Sequence, residues 1–100
     1  MSAFDHTGLD DVIHGRLRLG VMAYLSAASP ATFVELRDRV NATDGNLSTH
    51  LAKLEAAGYV AVHKAFEARK PVTRIALTPL GRSAWVAYLE RLRGLLDAAE

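Results

Sequence analysis

The chain has 100 residues, half of them hydrophobic, a net charge of +1 and no cysteine. That is enough for one domain with a modest core and too little for two. The missing cysteines exclude a disulfide framework, a thiolate metal site and a thiol nucleophile, and the near-neutral total says nothing about how charge is arranged.

The first ten residues carry Asp5 and Asp10 and no apolar run of signal-peptide length. Apolar stretches elsewhere stop well short of the roughly 20 residues of a membrane span. A soluble, cytoplasmic protein with no membrane partner is expected. From Leu9 to Ala28, Ile13, Leu17, Val21 and Tyr24 recur at spacings of three and four, which predicts a first helix over 9–28. Val12, Leu19, Met22 and Leu25 occupy its other faces. This is more apolar surface than a three-helix core covers, so part of it is expected to meet a second copy of the chain.

Ala28-Ser29-Pro30 breaks the pattern, and Thr32 caps a short second helix over 32–40 with Phe33, Leu36 and Val40 on one face. Asn41-Ala42-Thr43 is a turn. Thr43 or Asp44 then caps a third helix over 44–57 with Leu47, Leu51 and Leu54 as its buried stripe. Gly58 suits the left-handed position past a helix end. Tyr59 to Phe66 alternates as a strand, Glu67 to Pro71 reads as a polar loop, and Val72 to Leu77 is a second strand, giving a hairpin over 59–77. Thr78 as N-cap and Pro79 at the first helical position open a last helix over 79–98. Its stripe of Trp85, Tyr88, Leu89, Leu92, Leu95 and Leu96 runs past what a small body covers. Leu19, Met22, Trp85, Tyr88, Leu89, Leu92 and Leu96 are therefore the expected homodimer interface. The fold class is mainly α with a small β-hairpin, in the order α-α-α-β-β-α: a winged helix-turn-helix.

Opposite its leucine stripe, the third helix presents Gly45, Asn46, Thr49, Ala52, Lys53 and Ala56, with Ser48 at the margin. This surface is small, polar and singly basic, as close approach to a major groove demands; Asn46, Ser48, Thr49 and Lys53 can bond base edges and phosphates. Between Ala61 and Arg82 lie Lys64, Arg69, Lys70, Arg74 and Arg82 against Glu67 alone, a local charge of +4 in a chain whose total is +1, so the remainder is net −3. A basic hairpin by itself is often a solvated edge. Beside a helix-turn-helix it reads as a wing, with Lys64, Arg69, Lys70 and Arg74 placed for phosphates or the minor groove of double-stranded DNA.

Two segments resemble a known family. Asn46-Leu47-Ser48-Thr49-His50-Leu51-Ala52-Lys53-Leu54-Glu55-Ala56-Ala57-Gly58-Tyr59-Val60 is similar to the recognition helix and first wing strand of stand-alone winged helix-turn-helix regulators of the MarR-like and ArsR-like kind. Leu77-Thr78-Pro79-Leu80-Gly81-Arg82 is similar to their passage from second wing strand to last helix. The resemblance implies a dimer with two recognition helices in successive major grooves and wings on flanking DNA, usually repressing transcription. It also implies groove or phosphate contacts for Asn46, Ser48, Thr49 and Lys53 and wing contacts for Arg69, Lys70 and Arg74. With one helix after the wing and no cysteine, the chain departs from the larger MarR-like proteins and the metal-sensing ArsR-like ones, and no effector is assigned.

His6, His14, His50 and His63 share no metal-ligand spacing, so neither metal nor cofactor is expected. No nucleophile elbow, glycine-rich phosphate loop or paired-carboxylate arrangement is present, which argues against an enzyme. The rival to DNA binding is a winged helix used to contact another protein, which would not need the basic wing.

Overall fold

In the computed structural model, which describes residues 6–99, a single 3-10 turn (His6–Gly8) precedes α1 (Arg16–Ala28), β1 (Ala31–Thr32), α2 (Phe33–Val40) and α3 (Asp44–Ala56). Then come β2 (Val60–Glu67), β3 (Lys70–Leu77) and α4 (Pro79–Ala98). Three of the four helices start with the same local bond. The hydroxyl of Thr32 accepts from the Glu35 N–H at 3.1 Å, that of Thr43 from Asn46 at 3.2 Å, and that of Thr78 from Gly81 at 2.9 Å. Each satisfies a backbone donor that a helix start leaves unpaired. Asn41 closes α2 in the left-handed region at φ 55°, and Gly58 follows α3 at φ 80°.

α1 begins seven residues later than the apolar period predicts. Residues 9–15 are held out of the helix by a local turn bond and by tertiary ones: the Asp10 carboxylate accepts from the Val12 N–H (2.8 Å) and from the Tyr59 hydroxyl (2.5 Å). His14 Nδ1 lies 2.9 Å from the Tyr88 hydroxyl. Leu9 and Ile13 still reach the core, so helical spacing survives in a segment that is not helical.

The sheet is antiparallel in the order β1-β3-β2. β1 is unexpected from sequence: two residues ending in the α2 cap Thr32, paired Ala31 to Ile75 and Thr32 to Arg74. β2 and β3 run in register from Val60 opposite Leu77 to Glu67 opposite Lys70. The five-residue polar loop of the sequence reading shrinks to a two-residue turn, with Ala68 at φ 52° and Arg69 at φ 67°. Positive φ at both central residues matches the right-handed twist of the flanking strands. Pro71 joins β3 opposite Phe66, a pair at which, by alternation from the closing Glu67–Lys70 pair, no ladder bond is exchanged, so its missing N–H costs nothing.

Leucines from α2 and α3 (Leu36, Leu47, Leu51, Leu54) meet Val21, Met22 and Leu25 of α1, Ile75 of β3, and Trp85 and Tyr88 of α4 in one core. This corrects the expected dimer interface at three positions. Met22 is fully enclosed by its own chain, and Trp85 and Tyr88, stacked with ring centroids 5.9 Å apart, are buried in the same cluster. Leu19 and Leu92 pack partly against it, whereas Leu89 and Leu96 are exposed. No helix among the described residues is long and apolar enough to cross a membrane.

Candidate nucleic-acid interface

α3 is tied to its neighbours at its start and at its middle. Arg37 of α2 reaches across the intervening turn to Asp44 (2.8 Å) while also pairing with Asp38 (3.1 Å), tying the two helices at a fixed angle. Halfway along, Arg18 of α1 donates to Nδ1 of His50 at 3.2 Å. Since a guanidinium only donates, that nitrogen must accept, and His50 is neutral there. Partial burial, then the charges of Arg18 and Lys53, hold its pKa below the ordinary histidine value. This brace was not anticipated from sequence, because helical spacing cannot say which residue of α1 lies under α3.

With its leucines buried, α3 turns Asn46, Ser48, Thr49, Ala52, Lys53 and Ala56 outward, all exposed. Thr49 donates its hydroxyl proton to the Gly45 carbonyl (2.9 Å), so it faces a ligand mainly as an acceptor. Lys53 forms no salt bridge among the described residues.

Strand alternation sorts the wing. Val60, Val62, Lys64 and Phe66 of β2 share the face of Ile75, which points to the core. Beyond the body this face looks back over α3, and the two enclose an open cleft of about 700 Å³ lined by Asp44, Ser48, Ala52 and Glu55 of α3 and by Val62, Lys64 and Thr73 of the hairpin. Lys64 and Ser48 thus line one cleft. Arg69 lies in the turn, fully on the surface, and Lys70 beside it is exposed on the opposite face.

Arg74 is also on that opposite face and is occupied. Its Nε and Nη2 donate to the two carboxylate oxygens of Glu67 at 3.1 and 2.7 Å. The hydrogen bonds lower the Glu67 pKa and raise that of Arg74. Arg74, expected to contact phosphate, also pairs with the wing's only carboxylate. Lys64, Arg69 and Lys70 form no salt bridge among the described residues and keep their charge for a ligand.

The wing base is locked to α4 by Thr78. Besides capping the helix, Thr78 donates its hydroxyl to the Gly58 carbonyl (2.6 Å) and its N–H to Tyr59 (3.1 Å). Tyr59 is held protonated by its bond to Asp10, which pushes its pKa up to about 12. Among the described residues no cluster of His, Asp or Glu can hold a metal.

A three-helix unit whose outward helix and basic hairpin border one cleft is a winged helix, a fold class used to seat a helix in a nucleic-acid groove. The winged helix DNA-binding domain family matches residues 17–96, and the chain belongs to that family. It is 33% identical over 78 residues to an uncharacterized protein of Methanocaldococcus jannaschii, covering 78% of this chain and 85% of that one. Its fold superposes on a transcriptional regulator homologue of Pyrococcus horikoshii with a TM-score of 0.90, at 26% identity, covering 100% of this chain and 99% of that one. A Mycobacterium tuberculosis transcriptional regulator solved in complex with DNA matches at TM-score 0.68 and 26% identity, over 97% of this chain and 65% of the other.

Proposed function

We propose that the chain is a DNA-binding transcriptional regulator that acts as a homodimeric repressor, reading double-stranded DNA sequence-specifically with α3 in the major groove and anchoring flanking DNA with the wing. What supports this above all is the shared cleft, because Ser48 of α3 and Lys64 of the wing line it together. Asn46, Thr49 and Lys53 read base edges, with Ser48 at the margin; Lys64, Arg69 and Lys70 neutralise phosphates. Two copies join along α4, where Val86, Leu89 and Leu96 form an exposed apolar stripe, 48, 43 and 61% accessible. Leu19 and Leu92 supply half-buried flanks. The two recognition helices then stand roughly 34 Å apart, one turn of duplex.

Selection of bound sequences from a random duplex pool at two salt concentrations tests this directly. The expected product is a pseudo-palindrome with half-sites about one helical turn apart. Lys70→Ala is expected to weaken all sequences alike and lower the salt slope by about one unit, whereas Asn46→Ala relaxes preference at a single base pair at a cost of roughly 1–3 kcal/mol. No enrichment at either salt would favour the protein-interaction use of the fold. Light scattering that finds a monomer at tens of micromolar would remove the dimer.

A further inference from the structure

Phe66 is 79% exposed, more than any other large hydrophobic side chain among the described residues. Isolated surface apolar residues are ordinary and need no explanation. The setting of this one is not ordinary. It stands on the cleft-side face of the wing, two residues beyond Lys64 and four beyond Val62, the last residue of that face packed against the core. At strand spacing that places it about 13 Å past the core edge. Its cross-strand partner is Pro71, also exposed, so the outer end of this face is apolar.

Within the hairpin the charges around this apolar end are basic or cancelled. Lys64 precedes it, with Asp44 and Glu55 of α3 lining the far side of the cleft; Arg69 and Lys70 follow it at the turn, and Glu67, the hairpin's one carboxylate, accepts from two N–H groups of Arg74 on the opposite face. An apolar tip flanked by Lys64, Arg69 and Lys70 suits a polyanion that also offers a flat apolar surface. A protein partner would need acidic residues arranged around an apolar hole; duplex DNA has phosphates on both rims of a groove floored by sugars and base edges.

We infer that Phe66, backed by Pro71, is an apolar wedge that enters the minor groove beside the bases read by α3 and partly unstacks a base step there. This rests on the DNA-binding function proposed above. The wedge acts through contact and deformability rather than charge: it adds preference for easily unstacked pyrimidine–purine steps at positions where no side chain bonds a base.

The test uses the duplex enriched by selection, carrying 2-aminopurine at the steps that flank each half-site, with the full-length wild type, Phe66→Leu and Phe66→Ala. Wild-type binding is expected to raise the probe's fluorescence at a flanking step, and leucine, itself a wedge-forming side chain, to keep most of the rise. Alanine is expected to abolish it and weaken binding about tenfold, within the range of a single aromatic–base contact. The slope of affinity against salt and the base preferences under α3 stay as in wild type, because no charge changes. Since Phe66 lies 79% exposed at the outer end of the hairpin, away from the core, all three proteins melt at nearly the same temperature. Alanine binding within twofold of wild type, with the fluorescence unchanged, would overturn the wedge and leave DNA binding intact. Failure of the wild type to bind any duplex would instead overturn the DNA-binding function.

Discussion

Arg74 offers the sharpest test of how the wing works, because its charge and its geometry predict different things. On charge alone it contacts a phosphate; in the structure two of its five N–H donors go to Glu67, which cancels its charge. Arg74→Ala removes one cation and uncovers one carboxylate. At about a Debye length from a phosphate, the attraction of unit charges in water is close to RT before screening and about a third of RT after it, a factor of roughly 1.4 in affinity per phosphate. With two phosphates in range of each wing and two wings per site, Arg74→Ala is expected to weaken binding about two- to fourfold, and Glu67→Ala to tighten it by a similar factor. The double variant Glu67→Ala/Arg74→Ala returns to near wild type, since the pair it deletes is neutral. A direct charge-assisted contact to phosphate behaves otherwise: its loss weakens binding tenfold or more, and deleting Glu67 does not restore it. Fluorescence anisotropy on the selected duplex at fixed salt reads all four proteins. A double variant that binds no better than Arg74→Ala would refute the neutralising role.

Other perturbations act on the frame that holds the interface. A Cβ built on Gly81 falls 2.0 Å from the Tyr59 carbonyl oxygen, which accepts from Thr78, so Gly81→Ala must displace the wing base; a loss of about 3 kcal/mol or more is expected, a fall of at least about 12 °C in melting temperature, and a variant melting like wild type would contradict this packing. Ala68 holds φ 52° in the turn, so Ala68→Gly relieves left-handed strain, offset by the greater freedom of glycine in the unfolded chain; a net gain of about 0.5–1 kcal/mol, or roughly 2–8 °C, is the expected outcome of a thermal melt. His50 has a lowered pKa, so as pH falls through the ordinary histidine range the unfolded chain takes up a proton that the folded one resists, and stability declines. His50→Gln keeps an acceptor for Arg18 without titrating, and its melting temperature is expected to fall less than that of wild type between pH 7 and pH 5; parallel declines would show that His50 is not responsible.

Short-range features of the chain are sufficient for the starts of α2, α3 and α4 and for its interface helix. Thr32, Thr43 and Thr78 cap through bonds only three residues long, Gly58 and Asn41 take the left-handed conformation their types tolerate, and Leu47, Leu51 and Leu54 show which side of α3 is free. Such signals act over a turn or two of backbone, which is why they can be read from neighbours in sequence. Tertiary structure decided the rest. β1 exists only because Ala31 and Thr32 lie beside Ile75 and Arg74, far away along the chain. Residues 9–15 leave the helix because Asp10 and His14 find Tyr59 and Tyr88. Helical spacing puts Met22, Trp85 and Tyr88 on a stripe but does not name what lies opposite it, and here that is the chain's own core. Arg74 likewise counted as one more wing cation until strand pairing set it across from Glu67, since the reach of a charged side chain is settled by which strands are neighbours.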